Sequence, residues 1–357
     1  MHFSEISNTR LALQHLTVKE QTTVQGLVEY MGALQAQDYP MAQLAVGKRL
    51  ENTTAQMVEL AINKGEILRT HLLRPTWHIV SSKDIYWILQ LTAPHIKTAV
   101  RSRHKELELN GKVLSKIYKL LEKTLRDENH LTRNELYAIF HEAKISTENN
   151  RGAHILLSAE LERIICNGKI KDGKQTFALL GERVPKPAIL SRNEALEKLA
   201  RIYFISRGPA TLYDFVWWSG LPVRDARKAI EMIGKDFISE NIGEETYFVP
   251  FSLPDFSDNS YSVLLLPAYD EFLIAYADRK ASIENDKKAI SQNGIFRPII
   301  VINGKVVGLW KQNKIKDKIQ VNIDLLKPLK KHQMEMIEKE VVELGRFLGK
   351  ETTLDNF

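Results

Sequence analysis

Apolar and polar positions along the chain repeat one order of helical and strand periods. Within residues 113–180, apolar residues recur at helical spacing in VLSKIYKLLEKTLRD and in LTRNELYAIFHEA, where Thr132 opens a capping box. The spacing predicts a third helix over GAHILLSAELERIICNG, ending at Gly168, and then two short strands around Asp172-Gly173. Three helices followed by a two-stranded wing are the order of a winged helix.

The same order of elements occurs twice more. Residues 192–250 contain a helix, a second helix that Thr211 caps, a third that begins near Pro222, and two strands around Gly243. A looser copy precedes them, with predicted helices near 20–34, 40–49 and 53–63 and the wing strands ILRTHLL and TWHIVS. We therefore predict three tandem winged-helix units, which span residues 1–96, 97–183 and 184–256.

Residues 257–357 follow a different pattern. The segments YSVLLLPAYDEFLIAY, IFRPIIVINGKVVGLWKQ and KDKIQVNIDLL favour strands, and Asn303-Gly304 is a strong hairpin signal. Residues 328–348 have the spacing of an amphipathic helix. We predict a β-barrel-like part closed by that helix and joined through a linker at residues 257–260. The chain is then an α+β protein that is mainly α.

Composition restricts the class of protein further. The 357 residues are 44% apolar and 26% charged, which is typical of globular domains. Cys166 is the one cysteine, so a disulfide within the chain is impossible. No run of about 18 apolar residues is present, and the N-terminal segment lacks the order of a signal peptide. We expect a cytoplasmic protein with no membrane partner.

Positive charge is concentrated in two stretches. The formal net charge is +6, and residues 97–126 carry nine Lys and Arg against three Glu. Residues 304–339 carry nine Lys against four acidic residues. Such faces either bind a polyanion or are simply solvated, and the small overall excess does not decide between the two.

Motifs of several enzyme classes are absent. The chain has no phosphate-binding loop, no G-x-G-x-x-G dinucleotide motif, no H-E-x-x-H zinc motif and no G-x-S-x-G nucleophile motif. The ten histidines show no metal-ligand spacing. We therefore expect no metal and no nucleotide or other cofactor.

Polar residues within apolar segments are the remaining candidates for chemistry. Gln35 and Gln37 stand where the first predicted helix ends; on an irregular turn they would face one cleft, and otherwise they are solvated. In the first wing, a hairpin presenting Arg69, His71, Thr76 and His78 on one surface would contact phosphates or bases. The alternative is a polar outer face of the wing.

A third polar set follows an apolar strand near the C-terminus. Asp270 is either a buried acid or a turn residue, and Arg279 lies shortly after it. Tryptophan can stack on bases, but Trp217, Trp218 and Trp310 lie in apolar patterns that are more typical of a core.

Four segments together resemble the bacterial winged-helix DNA glycosylases of the AlkZ-like group. They are LVEYMGALQAQDYPMAQLAVGKRL, RTHLLRPTWHIVSSKD, LLLPAYDEFLIAYADR and NGIFRPIIVINGKVVGLWK, in the family's order, and the resemblance runs over about residues 5–348. In that family, three tandem winged helices and a β-barrel form a concave channel for DNA. The resemblance thus implies this architecture and an enzyme that acts on double-stranded DNA with alkylated bases.

The resemblance also implies site residues. Gln35 and Gln37 map onto the two catalytic glutamines of the Gln-aliphatic-Gln signature, whereas a sister group has Asp at the second position. The family's hairpin maps onto Arg69, Arg74, Thr76 and His78, and its Leu-Pro-x-x-Asp stretch maps onto Leu266, Pro267 and Asp270. The polar sets described above add His71 and Arg279. The DNA-binding residues that we expect are therefore Arg69, His71, Arg74, Thr76, His78, Asp270 and Arg279.

Two neutral glutamines suit one class of lesion. A purine alkylated at N7 or N3 is cationic and already a good leaving group, so no strong acid is required. A glutamine carbonyl can accept from the attacking water while its amide donates to phosphate or sugar. We expect a monofunctional, monomeric glycosylase for such purines, with an open channel that would also admit bulky adducts or interstrand crosslinks.

Two other functions stay open at this point. A winged-helix transcriptional regulator would require a recognition helix rich in base-reading residues, and the predicted third helices offer little beyond Arg151, Arg224 and Arg227. A protein of the same scaffold could also bind damaged DNA without releasing a base.

Overall fold

Helices dominate the first three-quarters of the chain, and strands dominate the last quarter. The structure is a computed structural model that describes residues 1–187, 190–253, 261–283, 289–291 and 294–355. The predicted linker at residues 257–260 lies outside these ranges, as does the predicted boundary between the third unit and the C-terminal part.

Most helices in the described ranges fall close to predicted ones, whereas those at residues 6–13, 101–106, 180–183 and 271–274 were not predicted. In chain order, the helices of these ranges are α1 (Ile6–Leu13), α2 (Val24–Met31), α3 (Tyr39–Gly47), α4 (Ala55–Lys64), α5 (Ile85–Ala99), α6 (Arg101–Glu106), α7 (Gly111–Thr124), α8 (Arg133–Glu142), α9 (Arg151–Leu161), α10 (Leu180–Arg183), α11 (Arg192–Arg207), α12 (Leu212–Ser219), α13 (Val223–Ile233), α14 (Glu271–Ile274) and α15 (Lys331–Leu348).

The strands of the same ranges form four separate sheets. They are β1 (Leu34–Gln35), β2 (Ile67–Leu72), β3 (Thr76–Ser81), β4 (Leu131–Thr132), β5 (Ile165–Asn167), β6 (Thr176–Leu179), β7 (Phe237–Ile242), β8 (Glu245–Pro250), β9 (Val263–Leu266), β10 (Ile299–Ile302), β11 (Lys305–Ile315), β12 (Lys318–Leu325) and β13 (Thr352–Asp355).

Threonine caps fix where several helices begin. The hydroxyls of Thr23, Thr54, Thr132 and Thr211 each accept a hydrogen bond from the amide three residues further along the chain. This bond satisfies one of the backbone donors that the first turn of a helix leaves without a partner. The capping boxes predicted at Thr132 and Thr211 are confirmed.

The first sheet has the strand order β1-β3-β2. Gln35 lies opposite His78, which lies opposite Thr70 on the other side. Residues directly opposite in an antiparallel pair share a face. Thr76 and His78 therefore share a face with Thr70 and Gln35, while Arg69 and His71 lie on the other face. The expectation that all four hairpin residues form one surface was wrong, because it fixed the faces within each strand but not the register between strands.

The second unit differs from its prediction at the third helix. Helix α9 ends at Leu161, and residues up to Gly168 do not continue it. Arg163 has a φ of 61°, and Ile165–Asn167 pairs with β6. Cys166 is buried in that strand rather than on a helix. The short strand was missed because a buried strand and a buried helix turn have the same apolar composition.

The C-terminal sheet has the order β13-β12-β11-β10-β9. Its edge strands do not pair with each other in the described residues, so the sheet observed there is open rather than a closed barrel. Asn303 and Gly304 form the predicted turn, and α15 packs against the sheet. The predicted strand over YSVLLLPAYDEFLIAY is β9 followed by the short helix α14, which Asp270 caps.

The first sheet lies between two large hydrophobic clusters. Leu68 and Val80, on the face that carries His78, belong to a cluster with α5, α11, α12 and α13. Ile67 and Ile79, on the opposite face, belong to a cluster with α2, α4, α15 and the C-terminal sheet. Both faces of the hairpin are thus covered near its base, and its tip at Leu73 and Arg74 lies against the turn that follows α12.

We expect Gly220→Ala to destabilise the protein more than Gly243→Ala. Both glycines have positive φ, of 68° and 65°, so each substitution carries the left-handed penalty of about 1–2 kcal/mol. A Cβ on Gly220 would also lie 2.7 Å from the carbonyl oxygen of Leu73, whereas one on Gly243 meets nothing within 4 Å.

Urea unfolding measures the difference. The crowded Gly220 site predicts an additional loss of about 1–3 kcal/mol in the free energy of unfolding. Equal losses for the two variants would show that the hairpin tip does not pack tightly against this turn.

Candidate active site

Gln35 is held from both its backbone and its side chain. It ends β1 and is 6% exposed. Its backbone N–H donates to Oε1 of Glu271 at 2.8 Å, and its side-chain Oε1 accepts from Nη2 of Arg74 at 2.8 Å. The first bond holds the backbone of Gln35, and the second orients its side-chain amide.

Gln37 lies two residues further on and is exposed. Its Oε1 accepts from the backbone N–H of Trp77 at 3.2 Å, and the N–H of Ala36 donates to the carbonyl of Trp77 at 2.7 Å. The segment therefore runs along β3 in extended form. In the described part of the chain, the Nε2 atoms of Gln35 and Gln37 donate no hydrogen bond. The geometry thus leaves two amide N–H₂ groups available to a ligand.

The buried ion pair of Arg207 and Glu271 supports the segment that contains Gln35. Nε and Nη2 of Arg207 donate to Oε2 of Glu271 at 2.9 and 2.7 Å, and the indole N–H of Trp218 donates to the same oxygen. Arg207 also donates to the carbonyl oxygens of Met31 and Ala33, at 2.7 Å each. The pair therefore ties α11 to the end of α2, immediately before Gln35.

Asp270 is committed to a second buried ion pair. Its two carboxylate oxygens accept from Nη1 and Nη2 of Arg49 at 2.8 Å each, and Arg49 also donates to Gln14. Arg49 and Asp270 are 0% and 3% exposed. Asp270 was expected among the DNA-binding residues; the structure places it in the interior, where it orders the start of α14.

Arg69 and His71 connect the hairpin to the second unit. The backbone N–H of Arg69 donates to Asn167, and its guanidinium donates to the carbonyl of Ala36 and stacks 4.2 Å from the ring of Trp77. Burial lowers the pKa of Arg69 to about 10. The imidazole of His71 pairs with the buried carboxylate of Glu160 on α9. Both expected DNA-binding residues are therefore largely occupied by contacts within the protein.

His78 is fully buried, with its Nδ1 atom 3.0 Å from the carbonyl oxygen of Thr76. Burial, reinforced by the neighbouring Arg74, lowers the pKa of His78 to about 3. The ring is neutral at physiological pH. It was expected to bind DNA, but a neutral buried imidazole does not attract phosphate. Nε2 of His78 and Oγ1 of Thr76 have no hydrogen-bond partner among the described residues.

Arg74 and Arg279 are the two expected DNA-binding residues that border the site and stay partly exposed. Their guanidinium carbons lie 5.3 and 5.2 Å from the ring centroid of Trp217 on α12. Arg279 donates to the carbonyl of Leu273 as well. The structure thus brings Gln35, Gln37, Arg74 and Arg279 to one region.

Sequence reasoning missed the residues that hold this region together. Glu271 follows Asp270 directly but was not selected, and Arg207 and Arg49 lie in helical patterns that gave no sign of a buried charge. A carboxylate within an apolar segment was the available signal for Glu271, because a charge there requires a partner.

The described residues were compared with the requirements of a metal site and of a membrane-spanning helix. No group of three or more potential metal ligands occurs there. Nor does that part of the chain contain a helix that is long and apolar enough to span a bilayer. Burial raises the pKa of the Cys166 thiol to about 12, so this cysteine is not a reactive thiolate.

Comparisons with known proteins agree with the resemblance seen in the sequence. Residues 28–347 match the family described as DNA glycosylase AlkZ-like. The interstrand DNA cross-link repair glycosylase of Streptomyces sahachiroi is 21% identical over 363 residues, which cover 95% of each chain. The solved structure of the Streptomyces sahachiroi DNA glycosylase AlkZ covers all of both chains with a TM-score of 0.81 and 19% identity.

These findings assign the protein to the DNA glycosylases. More narrowly, the chain belongs to the AlkZ-like family, because that family's match extends over most of its length.

We expect Glu271→Gln to be strongly destabilising, because it leaves the buried Arg207 without its counter-charge. Removing one partner of a buried pair costs about 3–5 kcal/mol. The control is Glu351→Gln, which removes an exposed partner of Lys318 at 2.7 Å and should leave stability almost unchanged.

Chemical denaturation of both variants provides the test. A Glu271→Gln protein as stable as the wild type would mean that Arg207 is solvated and that the pair does not support the glutamine segment.

Proposed function

We propose that this glycosylase hydrolyses the N-glycosidic bond of cationic N-alkylated purines, N7-alkylguanine and N3-alkyladenine, with Gln35 and Gln37 as the catalytic residues. The observation that carries the proposal is the state of Gln35. Its carbonyl and backbone are fixed by Arg74 and Glu271, while its amide N–H₂ has no partner in the described chain.

The neighbouring carboxylates support a mechanism without a strong acid or base. Glu271 is bound by Arg207, Trp218 and the amide of Gln35, and Asp270 is bound on both oxygens by Arg49. Glu271 and Asp270 are only 1% and 3% exposed and each is paired with an arginine, so neither is placed to exchange a proton with a substrate. The side chains that we assign to catalysis are neutral amides, which suit a base that leaves without being protonated.

The side-chain amides of Gln35 and Gln37 would bind both the attacking water and the substrate. An amide carbonyl has two lone pairs, so Oε1 of Gln35 can accept from the attacking water while it also accepts from Arg74. The N–H₂ groups of Gln35 and of the exposed Gln37 would donate to the phosphate of the same nucleotide. The carbonyl dipole of an amide fixed in this way stabilises a cationic sugar without reorganising during the reaction.

The surrounding scaffold supports binding of duplex DNA. The three successions of helices and a hairpin are proposed to be winged helices with the boundaries given above, and the C-terminal sheet with α15 to be the barrel-like part. The exposed face of α7 adds a row of positive charge at intervals of one turn, formed by Lys112, Lys116, Lys119 and Lys123. We propose that the protein acts as a monomer on cytoplasmic, nucleoid-associated DNA.

Bulky adducts and interstrand crosslinks are proposed as further substrates. The relative from Streptomyces sahachiroi is named for cross-link repair, and its whole length aligns with this chain at low identity. The exposed position of Gln37 supports this, because a crosslinked base cannot enter a closed pocket.

The alternative of a transcriptional regulator is not favoured. Helix α9, the third helix of the second unit, has residues Ile155–Leu161 buried, and Glu160 is bound to His71. A helix in that position cannot enter a major groove to read bases.

We expect Gln35→Ala combined with Gln37→Ala to abolish release of N7-methylguanine from duplex DNA. Single-turnover excision, followed by alkaline cleavage of the abasic site, measures the rate. The control is Asp38→Asn, which changes the adjacent exposed carboxylate but keeps a side chain able to cap α3, as Asp38 does through the N–H of Met41.

The Asp38→Asn variant should excise at close to the wild-type rate. Wild-type excision by the double glutamine variant would contradict the assignment, as would loss of excision in Asp38→Asn alone, which would make that carboxylate the base.

A further inference from the structure

Trp217 is an exposed tryptophan whose ring is held in place. It is 41% exposed, whereas its neighbour Trp218 is 1% exposed and packs in the core. Its indole N–H donates to the carbonyl of Ile274 at 2.8 Å. The sequence pattern indicated that Trp217 is a core residue, but the ring is not buried. The structure instead orders a large flat aromatic surface and leaves much of it in water.

The position of Trp217 relates it directly to the candidate active site. Arg74, which donates to Gln35, has its guanidinium carbon 5.3 Å from the centroid of the Trp217 ring. One arginine side chain therefore separates the indole from the amide. The turn after α12 fixes this relation, because Gly220 packs so closely on the carbonyl of Leu73 that a Cβ would lie 2.7 Å from it.

We propose that Trp217 is a stacking platform for a nucleobase of the damaged strand beside the reaction site. This inference rests on the proposed function and extends it to a residue that contacts substrate. An indole face stacks on any base, so it holds the strand without reading its sequence. A purine made cationic by alkylation would also be attracted to the negative face of the indole by a cation–π interaction.

The two arginines near Trp217 fit the same ligand. Arg74 and Arg279 are partly exposed cations near one ring, and guanidinium groups bind phosphate oxygens. A base on the indole would place its own phosphates within reach of such groups. The chemistry that this surface fits is thus a nucleotide: an aromatic base flanked by negative charge.

The experiment compares Trp217→Ala, Trp217→Phe and the control Tyr213→Ala. Tyr213 lies one turn earlier on α12 and is more exposed, at 56%, so its variant controls for general loss of aromatic surface. Affinity is measured for a short duplex with one N7-methylguanine and for the same duplex undamaged. Single-turnover excision is measured on the damaged duplex, and thermal unfolding shows that each variant is folded.

We expect Trp217→Ala to weaken binding of the damaged duplex about 5- to 100-fold, from the loss of one stacked base. Trp217→Phe should keep most of the affinity, and Tyr213→Ala all of it. DNA should quench tryptophan fluorescence in the wild type. Much of that quenching should be absent in Trp217→Phe, and what is left should come from the other four tryptophans.

Two results would overturn the inference: wild-type affinity in Trp217→Ala, or unchanged quenching in Trp217→Phe. The second would show that the ring only orders the two arginines and does not contact a base. A wild-type protein that binds DNA with this quenching but releases no base would instead contradict the proposed function and leave the stacking role standing.

Discussion

The buried pair of Arg207 and Glu271 is the interaction on which the arrangement of the site depends. It joins three parts of the chain that are distant in sequence: α11, the end of α2, and α14. A charge in so apolar an interior is tolerable only when a partner and hydrogen bonds compensate it. Here Trp218 and the amide of Gln35 complete the shell of Glu271. The position of Gln35 is thus a consequence of how a buried carboxylate is satisfied.

That constraint also determines the chemistry that is available. Glu271 and Asp270 are buried and paired with arginines, so they stabilise structure rather than transfer protons. Burial likewise keeps His78 neutral. What faces the open side is a pair of amides bordered by Arg74, Arg279 and an ordered indole. The amide carbonyl oxygens of such a site can position water and stabilise a positive sugar, but the site has little capacity to protonate a departing base.

The sequence predicted what is local and missed what depends on distant contacts. Thr132 and Thr211 cap helices and Asn303-Gly304 turns a hairpin because each signal acts within a few residues. The predictions for residues 165–167 and for the faces of the first hairpin were wrong, because strand pairing and register are set by partners elsewhere in the chain. Glu271 and Arg207 are 64 residues apart, so no periodicity joins them. The sequence pattern selected Gln35 and Gln37, and the family resemblance implied their catalytic role. The residues that support them were found only in the structure.

The most direct test of this account compares a cationic with a neutral purine lesion. Duplexes that contain one N7-methylguanine or one hypoxanthine are incubated with the wild-type protein, and base release is followed under single turnover. Both are purines of similar size, but hypoxanthine must be protonated to leave readily, and the site has no acid committed to that task. The account predicts release of N7-methylguanine and none of hypoxanthine. Comparable release of both would contradict it, because an acid would then have to act at this site.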